Sequence, residues 1–232
     1  MICNSFLLTL AYIVICSGQI LLLKGRETMS YSAFTLRKAK EELNLNFIEG
    51  VKFLPNLDVI TPSDSLIEFL QESIPLAIAM GSEKARSELI ISPILFEVRK
   101  QLNRQISFFS GEEFNVDESI GLNGVCDFLI SRSSEQLFVE SPVVAIVEAK
   151  KDDLKSGLGQ CIAEMVAAQR FNLIRENSID VIYGCVTSGN RWIFLQLKEQ
   201  DLTIDLEEYV VLPVGWLLNA LAWMCDPNFC DR

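Results

Sequence analysis

Two apolar runs in this chain carry ionisable residues that a hydrophobic core has no use for. In Val125-Cys126-Asp127-Phe128-Leu129-Ile130, an acid interrupts a strand-like stretch, and Val143-Val144-Ala145-Ile146-Val147 ends in Glu148-Ala149-Lys150. A carboxylate buried without a partner is strongly disfavoured, so these residues imply a compensating cation, either a metal ion or an ammonium. Residues two apart in a strand point to one face, so Glu148 and Lys150 project together, with Asp127 supplied by a neighbouring strand. Hard oxygen donors beside an ammonium suit a divalent cation and phosphodiester chemistry.

The composition removes most other chemistries. There is no histidine, which excludes Ser-His-Asp and Cys-His catalysis, His-ligated zinc and imidazole acid–base work. The seven cysteines form no C-x-x-C pair. Most lie in apolar runs and read as reduced core residues of an intracellular protein. No repeat, Walker-type phosphate loop or G-x-G-x-x-G fingerprint is present, so an ATP-driven translocase is not encoded. A net charge of -11 argues against a broad electrostatic footprint for nucleic acid. It leaves room for a local basic groove or a metal-mediated phosphate contact.

The elements that must position the ionisable residues can be read from pattern. The chain has 232 residues, enough for one domain with a sizeable core. The β-branched run Val143 to Val147 predicts a central strand buried on both faces. A helix is expected from about Leu154 to Glu176, capped by Asp152 or Asp153. Before the strands, Ser82 to Leu102 reads as an amphipathic helix that Pro93 kinks or divides. Further strands are expected over 105–114, 179–186 and 191–197, the last two joined as a hairpin. Pro213 to Cys225 reads as an apolar helix with Trp216 and Trp223 on one face. Core packing is the first reading of these aromatics and a dimer surface the second.

Nearer the start, Ser32 to Leu45 reads as a short helix and 47–60 as an irregular connection. Ser63 or Asp64 caps another helix, which Pro75 limits. The apolar run Phe6 to Leu23 has three readings. It is upstream sequence before a true start at Met29, a packed helix, or a marginal membrane anchor with the following chain in the cytoplasm.

Asp127 followed by Glu148-Ala149-Lys150, at the end of the most β-like run, resembles the D…(D/E)-x-K signature of the PD-(D/E)XK nuclease superfamily. The strand ending in E-A-K and the helix after it are similar to that family's core, over residues of roughly 80–200. The segment Val186 to Leu197 (V-T-S-G-N-R-W-I-F-L-Q-L) resembles the N-terminal nuclease domain of type I restriction enzyme R subunits and small stand-alone relatives. Cys126 stands where the family usually has proline. Asp153-Leu154-Lys155 also spells D-x-K, but beyond the strand.

The resemblance implies a mixed α/β fold: a restriction-endonuclease-like core with a central four- to five-stranded mixed sheet flanked by helices. The expected organisation is an apolar segment over 1–28, a helical extension over 29–80 and the nuclease domain over 81–232. It implies Mg²⁺ or Mn²⁺ held by Asp127, Glu148 and the Ala149 carbonyl, with Glu88 acting directly or through water. Lys150 would position or deprotonate the attacking water, and Gln160 on the following helix would contribute to the site. The plain alternatives are that Glu88 is a solvated helix residue beside Glu83 and Lys84, and Gln160 an ordinary polar helix residue. DNA is the implied substrate, acted on in the cytoplasm, with a homodimer or restriction or repair partner subunits compatible. Two other classes stay open: a non-catalytic nucleic-acid- or partner-binding module on the same fold, and a membrane-tethered accessory protein.

Overall fold

The computed structural model describes residues 29–229, together with the backbone of 13–16 and 19–22. Most of the apolar run over 6–23 lies outside the described residues. Within it, Ile13–Cys16 (β1) and Gln19–Leu22 (β2) pair as an antiparallel hairpin, in place of the helix that the packed or anchored readings require. Among the described residues, no helix is long and apolar enough to cross a membrane.

From Met29 onward the chain alternates helices and strands. Leu36–Glu42 (α1) leads into Asn46–Glu49 (β3) and then Asp64–Met80 (α2). Glu83–Arg86 (α3), a π-turn over Ser87–Ile91 and Ser92–Gln101 (α4) follow without a break. Three strands come next: Ser107–Glu113 (β4), Val125–Ser131 (β5) and Val143–Ala149 (β6). The long helix Leu154–Ile174 (α5) crosses over to Ile182–Thr187 (β7). Arg191–Lys198 (β8), Asp201–Ile204 (β9), Tyr209–Val210 (β10) and Val214–Cys225 (α6) complete the fold.

The strands form one mixed sheet in the order β3-β9-β8-β7-β6-β5-β4, with β10 added on β8. β4, β5 and β6 form an antiparallel meander, and β6 runs parallel to β7 through the α5 crossover. The sheet has eight strands, so the expectation of four to five is corrected. β3, β9 and β10 are short and carry no apolar run of their own. β3 exists because its backbone pairs with β9 in parallel, helped by Asn46 Nδ2 donating to Asp201 Oδ1 at 3.0 Å. Residues 29–80 are therefore more than a helical extension, since they supply this edge strand, and the span 47–60 is not wholly irregular.

β6 lies near the middle of the sheet and is buried along its whole length, as a β-branched run between two helical layers should be. Ala145, Val147 and Ala149 face the layer of α2, the π-turn, α4 and α6, where they meet Ile90, Ile94, Leu95 and Leu217. Ile146 faces α5, against Leu158, Ile162 and Met165. Trp216 stacks on Tyr209 with centroids 4.7 Å apart, and Trp223 packs on Tyr183 at 5.3 Å, so both tryptophans are half-buried and pack against the core.

The prolines behave differently from expectation. α2 runs through Pro75 and stops at Gly81, whose φ of 65° provides the left-handed cap. Pro93 does not divide its helix. Having no N–H, it leaves the Leu89 carbonyl without the usual donor. The buried Ser73 hydroxyl on α2 donates to that carbonyl at 2.7 Å, and the π-turn just before Pro93 widens the backbone there.

Candidate active site

The two central strands bring the predicted acids together. Phe128 pairs with Val147, so one further step along the antiparallel ladder sets Asp127 opposite Glu148, and opposed residues share a face. Regular pairing stops there. The Asp127 carboxylate replaces it, accepting the Ala149 N–H at 2.8 Å. The N–H and C=O of one strand residue point the same way, so the Ala149 carbonyl also turns toward β5 and Asp127. All of this sits at the carboxyl end of β6, where parallel strands joined by a crossover helix leave a crevice.

Glu148 is fully buried and paired with Lys150 at 2.5 Å. The Lys150 stem crosses the first turn of α5 at Gly157. A Cβ on Gly157 would come within 2.9 Å of Lys150 Cγ and 2.8 Å of Val186 Cγ1, so only glycine leaves that path open. The Lys150 backbone is fixed as well, its N–H donating to the Thr187 carbonyl of β7 at 2.7 Å. The strand-end register and the small residue on α5 together aim the ammonium at Glu148.

Gln160 and Glu88 have different surroundings. Gln160 donates to Glu164 Oε1 at 3.1 Å, one helical turn further along α5. Glu88, on the π-turn, borders a cleft of about 250 Å³ shared with Glu83, Ser110, Gly111 and Asp127. Its side chain is 60% exposed and paired with Lys84 at 2.8 Å. The structure thus joins Asp127 to Ala149 and Glu148 to Lys150 by direct hydrogen bonds, while Gln160 bonds to Glu164, whose charge acts on Glu148. Glu88 stays at the rim, in the solvated pairing that the plain alternative describes.

Glu164 was not identified from the sequence. It is fully buried on α5. It is the one acid inside Cys161-Ile162-Ala163-Glu164-Met165-Val166-Ala167-Ala168. An acid interrupting an apolar run is the signal that exposed Asp127, and applied to the helix it would have found this residue.

The electrostatics show a surplus of negative charge. Burial pushes the Glu148 carboxyl up to about 10, reinforced by Glu164 and Asp127 and opposed by Lys150. Burial likewise raises Glu164, to about 8, against the lowering effect of Gln160. Burial alone would lower Lys150, but Glu148 beside it outweighs this and raises it. Among the described residues, Glu148 Oε2 is buried without a hydrogen-bond partner. One ammonium therefore serves three carboxylates, and beyond Gln160 the Glu164 carboxyl has only the weak thiol donor of Cys126.

This pattern fits the chemistry of a hard divalent cation, which takes carboxylate and carbonyl oxygens and reverses the local preference for protons. As the side chains stand, no three acidic or cysteine side chains among the described residues converge closely enough to enclose an ion. Lys150 already engages one Glu148 oxygen and the Ala149 N–H one Asp127 oxygen. Thiol chemistry is disfavoured, since burial raises Cys126, Cys161, Cys185 and Cys225 well above the ordinary thiol range. Compared with known proteins, the chain matches no family model and no curated protein.

Proposed function

We propose that the protein is a metal-dependent nuclease of the PD-(D/E)XK type, acting in the cytoplasm and hydrolysing DNA phosphodiester bonds. One observation carries this reading. Asp127 and Glu148 lie in register on adjacent central strands, with Lys150 bound to Glu148 and a buried Glu148 oxygen left without a partner. Asp127, Glu148 and the Ala149 carbonyl would hold Mg²⁺ or Mn²⁺, with Glu88 reaching from the rim through water. The bound ion supplies Lewis acidity toward a phosphate oxygen and an acidified water. Lys150 orients that water and offsets the negative charge that builds on the phosphate. Gln160 steadies the helix side of the site through Glu164. The cleft between the π-turn and β4–β5 gives a phosphate access to Asp127.

A divalent-metal-dependent cleavage assay on single-stranded, duplex and branched DNA tests this reading. Wild-type protein should cleave at least one of these substrates with Mg²⁺ or Mn²⁺, and Asp127→Ala and Lys150→Ala should each abolish cleavage while remaining folded. Undiminished cleavage by either variant would remove the assignment. The pairing of Glu88 with Lys84 and the net charge of -11 favour a second reading, a non-catalytic binding module on the same fold. In that case the wild type binds a nucleic acid or partner without cutting it.

A further inference from the structure

We propose that the substrate strand crosses the outer edge of the sheet at Gly111, whose missing side chain is the opening through which one sugar–phosphate unit meets Asp127. The inference rests on the nuclease reading above and adds to it the path of the substrate and the residue that sets that path.

β4 is the last strand of the sheet, and its ladder with β5 is interrupted. Ser110 pairs with Phe128 and Glu112 with Cys126, but the step between them, where Gly111 comes opposite Asp127, falls out of the ladder. Gly111 turns there into the left-handed region, with a φ of 67°. A glycine in a strand serves either such a bend or the close approach of a ligand to the backbone. Two observations favour the approach. A Cβ on Gly111 would meet no atom within 4 Å, whereas one on Gly157, Gly159, Gly184 or Gly215 would lie 2.8 Å or less from a neighbour. Packing therefore dictates those four glycines and places no demand on Gly111. The free space also adjoins the candidate site, since Gly111 and Asp127 line the same cleft of about 250 Å³. Opposed residues share a face, so a side chain at 111 would stand beside that of Asp127.

The cleft suits a phosphate ester. Across from Gly111, α3 and the π-turn present the Lys84 ammonium and the Ser87 hydroxyl, and β4 itself presents Ser110. These are the donor types that hold phosphate oxygens. The Lys84 side chain is 82% exposed and rests on Glu88 at 2.8 Å, so it can swing to a phosphate. The same rim carries Glu83 and Glu88, and β4 continues into Glu112 and Glu113. A phosphate chain laid along this acidic rim is repelled. A strand that crosses β4 at its one position without a side chain avoids that repulsion and brings a single phosphate to Asp127.

The test uses the full chain with Mg²⁺ and single-stranded, duplex and branched DNA. Gly111→Asn keeps the left-handed backbone, which asparagine tolerates, and puts a side chain into the open space. Its urea midpoint and Mn²⁺ affinity should match wild type. Its single-turnover cleavage rate should fall on the order of 100-fold, the usual effect of an ångström of misplacement at a reacting centre. If Gly111 serves only the bend, folded Gly111→Asn cleaves at the wild-type rate, which overturns this proposal and leaves the nuclease reading intact. A second measurement needs no variant. Amide hydrogen exchange of wild-type protein, with Ca²⁺ and a bound phosphorothioate oligonucleotide, should slow at residues 110–112. Unchanged exchange there overturns the proposal even where Gly111→Asn does not fold. A wild-type protein that cleaves none of these substrates removes the nuclease reading and this proposal together.

Discussion

Replacing Gly157 with alanine should separate the site from the fold. In an ordinary helix this change gains about 1 kcal/mol. Here the new methyl would lie 2.8 Å from Val186 Cγ1, 2.9 Å from Lys150 Cγ and 3.0 Å from Lys150 Cε. Val186 is fully buried in β7 and has nowhere to go. The Lys150 stem is the part that can yield. Overpacking of this kind costs about 1–3 kcal/mol, leaving a net loss of roughly 0–2 kcal/mol once the helix gain is counted. The effect on chemistry should be larger. Displacing the stem draws the ammonium from its 2.5 Å contact with Glu148, and an ångström of misplacement at a reacting centre costs on the order of 100-fold in rate. Urea denaturation gives the stability change and single-turnover, Mg²⁺-dependent DNA cleavage the rate. A Gly157→Ala protein about 1 kcal/mol more stable than wild type, with undiminished cleavage, would show that Lys150 does not lie against this turn.

Two further outcomes follow from the same geometry. Glu148, pushed up to about 10, and Glu164, raised to about 8, keep protons that the unfolded chain releases above its ordinary value of 4.5. Metal-free protein should therefore lose stability as pH rises from about 5 to 8, by at most about 1.4 kcal/mol per pH unit for each proton held. Mg²⁺ should flatten the slope, and a flat metal-free profile in urea denaturation across that window would count against the buried acids. Gly159→Ala should behave unlike Gly157→Ala, because its methyl would fall on the backbone of Phe34, Thr35 and Leu36, which cannot step aside. We expect a lower melting temperature and faster proteolysis near residue 34, and an unchanged melting curve would contradict the close approach.

The sequence disclosed most where a residue type contradicted its neighbours. Asp127 and Glu148 were legible because a carboxylate inside an apolar run is anomalous, and Val143–Val147 because β-branched continuity marks a strand covered on both faces. Gln160 was implied by the family resemblance together with its distance from Lys150, and its partner Glu164 carries the same signal as Asp127, an acid inside an apolar run, set in a helix. Two short strands were hidden for a different reason. β3 holds its conformation through pairing with β9, far along the chain, and the four residues of each carry too little alternation to read. Pro75 misled because tertiary packing tolerates what local propensity forbids, and Pro93 distorts its helix to a π-turn without dividing it. Ser73 serves the carbonyl that Pro93 leaves open, and no sequence window spans both residues.

The early part of the chain is fastened to what comes much later. The Tyr31 N–H reaches the Asn123 carbonyl, Phe34 to Leu36 lie against Gly159, and β3 is matched only by β9. Each partner is made later than the segment itself: Asn123 and Gly159 come well after it, and β9 only past residue 200. A nascent chain must therefore carry residues 31–36 unanchored until residues 123 and 159 have emerged, and β3 unpaired until β9 has. Long-range closure of this sort slows folding. It also means that Tyr31 finds its partners, the Phe114 and Asn123 carbonyls, only after the connection between β4 and β5 has been made.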